Sequence, residues 1–280
     1  MIGRKAVIGL SLLCALLFCA FAAQSASAEK STNTTAFTCV ASGGTTNKDF
    51  VDAHCDEAIT PGKGSFEHLV IANDTTTALA ATNDKVTNGT KDSEPATLKG
   101  TIGLAKVDIL CTKVKNDTTK SFIHNVDSGE KKHTVTGEAR VEYTGCEVKE
   151  LAKCIVTEPI VAEATFVGTE GLGAAKNEMG QNFVGKGKEE TFAEIQFTNK
   201  SEAEKCSLDK KIFPVKGSAI GTSGPTTKSP QTNKHSGATL VFSPENGMEK
   251  LFLGPNAAEF TSIVTPTMSG GNPITLTTTT

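Results

Sequence analysis

The chain is 280 residues long, with 28 Lys and Arg against 31 Asp and Glu and a formal net charge of −3. A mildly acidic balance makes a poor nucleic-acid binder and a poor match for anionic membrane surfaces. There is no tryptophan, and Tyr143 is the only tyrosine. That argues against a sugar-stacking module and, more weakly, against a tight protein-binding surface.

The chain opens MIGRKAVIGLSLLCALLFCAFAAQSASAEK. Arg4 and Lys5 give a basic start, an apolar run follows to Ala23, and Ala26-Ser27-Ala28 is a small-x-small cleavage site. The pattern predicts a secretory signal peptide over 1–28. Cys19 follows Phe18 and Cys14 follows Leu13, so neither fits a lipoprotein site. No later stretch is apolar for long enough to span a bilayer. The expected location is therefore outside the membrane: secreted, extracellular or at the cell surface. Losing Arg4 and Lys5 takes the net charge from −3 to −5 and leaves Arg140 as the only arginine. About 250 residues remain, room for one large β domain or two small ones.

Residues 29–65 read as a loop-rich N-terminal segment. Cys39 and Cys55 enclose the Gly-rich stretch VASGGTTNKDFVDAH. The adjoining DFVDAHCDE gathers Asp49, Asp52, Asp56 and Glu57 around His54. Such a cluster offers a calcium or a glycosidase-like carboxylate reading, but a calcium loop would need glycine at its sixth place and glutamate at its twelfth, and both are missing. A solvated loop under a disulfide is the expectation.

From residue 66 to 280 the dominant period is two, which argues strands. Val107, Ile109 and Cys111 share a face, as do Ala139, Val141 and Tyr143, with Arg140 and Glu142 opposite. Ile160, Ala162, Ala164 and Phe166 form another stripe, and Ala193, Ile195 and Phe197 a fourth. Further strands are predicted at Phe213–Thr222, Ala238–Phe242, Lys250–Leu253, Glu259–Met268 and Ile274–Thr277. Turn signals separate them, among them Thr60-Pro-Gly, Asn88-Gly and Ser269-Gly-Gly-Asn-Pro. About one residue in seven is threonine, which suits the polar face of a half-exposed strand. NKSEAEKCSLDKK is the best short helix candidate but lacks an apolar face. Residues 221–237 are Pro/Ser/Thr/Gly-rich and read as a flexible loop. LKGTI, VTGEA and VKGSA each place a glycine two residues into a strand: unrelated strand starts, or a recurring bend. The expected fold is all-β with little helix: a disulfide-stapled antiparallel β-sandwich, with Greek-key and barrel-like connections both compatible.

Six cysteines follow the signal: Cys39, Cys55, Cys111, Cys146, Cys154 and Cys206. An even count in an exported chain reads as disulfides. Neither the tight pairing of a zinc site nor a C-x-x-C redox motif is present. Six cysteines allow fifteen connectivities. Strand logic favours Cys146–Cys154 across the polar turn EVKELAK, Cys39–Cys55 around the N-terminal loop, and Cys111–Cys206 between distant strands. On this pairing the long-range closure should contribute most to stability.

No catalytic, metal or cofactor site is legible. GSAIG has the glycines of a nucleophile elbow but alanine at its centre. No zinc helix, phosphate loop or dinucleotide fingerprint occurs. His54, His68, His124, His133 and His235 are scattered; His68 and His133 are expected on solvent faces of strands. Asn-x-Ser/Thr triplets begin at Asn33, Asn73, Asn88, Asn116 and Asn199, and matter only in a glycosylating host.

The strand V-x-G-x-A-x-V-x-Y-T-G-C (Val135–Cys146), the short turn to Cys154 and the closing segment Gly237–Thr278 resemble Thr-rich secreted proteins of soil actinobacteria. No activity is attached to that group. The resemblance implies export and a β fold and supplies no site. Two functions fit the sequence. One is a non-catalytic extracellular monomer with a structural or surface-binding role toward the cell wall or an extracellular protein. The other is an extracellular hydrolase acting on polysaccharide or peptide.

Overall fold

The computed structural model describes residues 34–278 apart from 44–47, 54, 56, 83, 88–89, 94, 128–133, 173–177, 226–239 and 245–249. The predicted signal peptide therefore lies outside the described residues. The regular structure is almost all strand. In chain order the strands are β1 (Thr34–Ala41), β2 (Phe66–Val70), β3 (Thr77–Thr82), β4 (Asp84–Thr87), β5 (Thr90–Ser93) and β6 (Ala96–Ile102). Then come β7 (Ala105–Asn116), β8 (Phe122–Val126), β9 (Thr134–Val148), β10 (Cys154–Val156), β11 (Ile160–Leu172) and β12 (Glu178–Gly185). The last six are β13 (Thr191–Asn199), β14 (Ile212–Pro225), β15 (Leu240–Phe242), β16 (Lys250–Leu253), β17 (Asn256–Met268) and β18 (Ile274–Thr278). A 3₁₀ turn at Lys188–Glu190 precedes β13.

The pairings close on themselves. Strands β6, β7, β9, β11, β12 and β14 bond in series, each antiparallel to the next. Strands β15 and β16 share the next place, since both pair with β14 and with β17. Strand β17 then pairs with β6 and completes the ring. Further along, β8 and β3 bridge the same gap between β9 and β17. Chain order runs around the ring without a crossover. The all-β, antiparallel, disulfide-stapled class expected from the sequence is realised in its barrel-like form. Opposite walls of the ring face each other as the layers of a sandwich would. Closure leaves the ring itself without the free strand edges that invite aggregation.

Period two decides which side chains enter. Cross-strand neighbours share a face, so Tyr143 opposite Ile160, Val141 opposite Ala162, and Ala139 opposite Ala164 all point inward. The outer face of the same strands is charged. Arg140 pairs there with Asp117, Glu142 and Glu163 at 3.2, 2.9 and 3.0 Å, and Lys186 pairs with Glu138.

One buried cluster gathers Val107, Ile109, Ile160, Ala193, Ile195, Phe197, Leu208, Val215 and Leu253. Another packs Ala36, Ile71, Ile274 and Leu276 against Ile123, Val135, Phe166 and Met179. The second joins the ring to a separate three-stranded sheet, β18-β1-β2. The segment read as loop-rich thus contains the central strand of that sheet. Asn125 on β8 ties the two sheets together. Its amide donates to the carbonyls of Ala36 and Ile71 at 3.1 and 2.6 Å, and its oxygen accepts from Ala36 N at 2.7 Å.

Two of the three recurring glycines sit where a side chain would collide. A Cβ at Gly137 would lie 2.1 Å from the Phe122 carbonyl and 2.4 Å from the Phe166 ring. Gly217 has φ +107°, and its Cβ would lie 1.9 Å from the Lys250 carbonyl. Gly100 meets only ordinary contacts. The helix candidate NKSEAEKCSLDKK forms bends and turns. Without an apolar stripe to dock, it is held instead by Asn199, whose oxygen accepts from Cys206 N at 2.7 Å. Of the predicted flexible loop 221–237, residues 221–225 belong to β14, and 226–237 lie outside the described residues.

The disulfides are Cys39–Cys55, Cys111–Cys146 and Cys154–Cys206. The expected Cys146–Cys154 and Cys111–Cys206 bridges are not formed. Cys146 faces Cys111 directly, as register partners on β7 and β9, with Cα atoms 4.0 Å apart. Cys154 begins β10, which leaves β9 and pairs with β13. There it meets the loop that carries Cys206, with Cα atoms 4.8 Å apart. The turn between Cys146 and Cys154 sends them to different neighbours.

Candidate ligand cavity in the barrel

The inward face is not filled. A cavity of about 160 Å³ lies within the ring, with walls drawn from most of its strands. Its volume is comparable to an apolar cavity of about 150 Å³ that takes benzene. Alanines explain the space. Ala139, Ala162, Ala164, Ala193 and Ala219 occupy inward positions where a filled barrel carries larger residues. Several interior residues, Tyr143, Val141, Ala162, Phe183, Phe192 and Phe260 among them, keep intermediate solvent exposure although they point inward. That surface faces the cavity.

Aromatic rings cross the interior in a chain. Phe166 meets Phe183 at 5.2 Å between centroids, Phe183 meets Phe242 at 5.4 Å, Phe242 meets Phe260 at 5.4 Å, and Phe260 meets Tyr143 edge-on at 6.3 Å. Each lies within the range of favourable tilted or edge-to-face contact. Small residues opposite make room for them: Gly137 faces Phe166, Ala219 faces Phe183, and Gly221 faces Phe242.

Among the described residues the lining contains no Lys, Arg, His, Asp or Glu. Three of the described lining residues carry polar side chains. Asn116 is engaged within the protein, donating to the Leu79 carbonyl at 3.0 Å and accepting from the Ser121 hydroxyl at 2.8 Å. Gln181 is 4% exposed and brings a carboxamide to the wall. Tyr143 brings a phenol, and burial pushes its pKa up to about 12. The hydroxyl is therefore neutral at any ordinary pH. Among the described residues it has no hydrogen-bond partner.

The residues weighed as candidate chemistry do not meet there. Asp52 accepts from Glu57 N at 2.7 Å and stabilises the turn beside the Cys39–Cys55 bridge. His54 and Asp56 lie outside the described residues, as do His133, His235, Asn33 and Asn88. His68 is not on an open solvent face: it sits edge-on to Phe50 at 4.7 Å, and burial lowers its pKa against the opposing pull of Asp49. His124 stacks on Phe122 at 6.1 Å. Among the described residues no group of three or more His, Cys, Asp or Glu is placed to hold a metal ion. Arg140, fenced by three carboxylates, is not free to grip an anionic ligand. No helix among the described residues is long and apolar enough to cross a membrane.

No protein-family model matches the chain, and no significant match is found among the curated proteins or the solved structures. The cavity is thus the site the geometry itself offers. The sequence carried one trace of it, the alanine-rich inward stripe at Ile160, Ala162, Ala164 and Phe166. Only closure of the ring turns small residues into a shared void.

Proposed function

We propose that this is a secreted, non-catalytic extracellular protein that binds a small apolar molecule inside its β barrel. One observation carries the reading: an apolar cavity of about 160 Å³ walled by a chain of aromatic rings and by alanines. Concave, mostly apolar sites with few polar groups are the usual form of small-molecule sites, and the mouths and interiors of barrels are common places for them. Export is supported by the basic start, apolar run and small-residue exit at 1–28 and by three disulfides, which persist in oxidising compartments. No observation favours the hydrolase alternative.

The test uses the protein's own chromophore. With no tryptophan and one tyrosine, emission excited at the long-wavelength edge of tyrosine absorption, beyond that of phenylalanine and toluene, reports Tyr143 alone. Titration with toluene should change that emission saturably and raise the melting temperature in step with ligand concentration. Neither response at concentrations approaching toluene solubility would defeat the binding reading. Protein recovered outside the cell should begin near Glu29; a chain that keeps residues 1–28 would defeat the export reading.

A further inference from the structure

We propose that Tyr143 is a polar anchor, and that the ligand is an uncharged, mostly hydrocarbon molecule bearing a hydrogen-bond acceptor such as a carbonyl or ether oxygen. This rests on the cavity reading above. The lining explains the lack of charge. Among the described residues it offers no cation to a carboxylate or phosphate and no anion to an amine, and an unpaired charge moved into an apolar interior is strongly disfavoured. Tyr143 explains the acceptor. A tyrosine hydroxyl set in an apolar wall normally finds a partner, yet Tyr143 forms no hydrogen bond with the described residues, and the residue is half-buried and lines the void. Its position is fixed on both sides, by the edge-on contact with Phe260 at 6.3 Å and by the cross-strand neighbour Ile160. Because the group stays protonated, with burial holding its pKa near 12, it can donate as well as accept. With no partner among the described residues, donation to the ligand is the use left open.

The experiment compares three probes of similar shape by calorimetry: acetophenone, ethylbenzene, which lacks the oxygen, and benzoate, which is charged. Wild type and Tyr143→Phe are measured side by side. The expectation is that Tyr143→Phe weakens acetophenone about tenfold, the equivalent of one buried hydrogen bond, and leaves ethylbenzene within about twofold. Unchanged ethylbenzene binding also shows that the variant keeps its cavity. Benzoate should bind at least tenfold more weakly than acetophenone. Equal losses for acetophenone and ethylbenzene, or no loss for either, would overturn the anchor while leaving the cavity reading intact. Benzoate binding as tightly as acetophenone would overturn the requirement for a neutral ligand. If neither neutral probe binds wild type, the cavity reading fails and the anchor with it.

Discussion

Replacing Ala162 by leucine tests whether the barrel is hollow. Ala162 points inward on β11, opposite Val141 on β9, and lines the cavity. The substitution adds three carbons to the interior. At about 0.8 kcal/mol per buried methylene the transfer gain is about 2.4 kcal/mol. Restricting the leucine rotamers costs about 0.5–1 kcal/mol. The net is a stabilisation of about 1.5 kcal/mol, or roughly 3–6 °C in melting temperature for a chain of this size. The added side chain also occupies ligand space, so toluene binding should be lost. Thermal denaturation followed by circular dichroism gives the first quantity, and calorimetry the second. In a filled core the same change would be overpacking, which costs about 1–3 kcal/mol. A variant that melts several degrees lower while the wild type binds no probe would show that the interior has no void of the stated size.

Asn125→Leu removes three hydrogen bonds and strands Ala36 N and the Ile71 carbonyl, while the Ala36 carbonyl keeps its bond from Ile71 N; a loss of about 3 kcal/mol is expected by chemical denaturation. The pH dependence follows from Tyr143. Its folded pKa, about 12, lies above the ordinary value of 10, so its contribution is complete below about pH 10. As pH rises from about 10 to about 12 the unfolded chain loses the proton first, and stability falls. Phenolate absorbance of this lone tyrosine should show a midpoint near 12 in the folded protein and near 10 in denaturant. The disulfides close loops with sequence separations of 16, 35 and 52. The loop-entropy relation gives about 3, 3.8 and 4.1 kcal/mol in that order as upper figures. Replacing both Cys154 and Cys206 by serine should therefore lower the melting temperature more than replacing Cys39 and Cys55. Peptide mass mapping should find Cys111 joined to Cys146, and a Cys146–Cys154 peptide would refute the register of β7 on β9.

Period two was readable along the chain because it is a local property of strands. Lys250–Leu253 forms as predicted, and the stripes at Val107, Ala139, Ile160 and Ala193 all face inward. The even cysteine count likewise announced disulfides. Tertiary structure alone decided three things. It placed Cys146 beside Cys111 rather than Cys154, because register between β7 and β9 depends on pairing over 35 residues. It closed the ring, because β15 and β16 reach both β14 and β17. And it made the cavity: an alanine is merely a small residue in sequence, and becomes missing volume only when the opposite wall arrives and does not fill it.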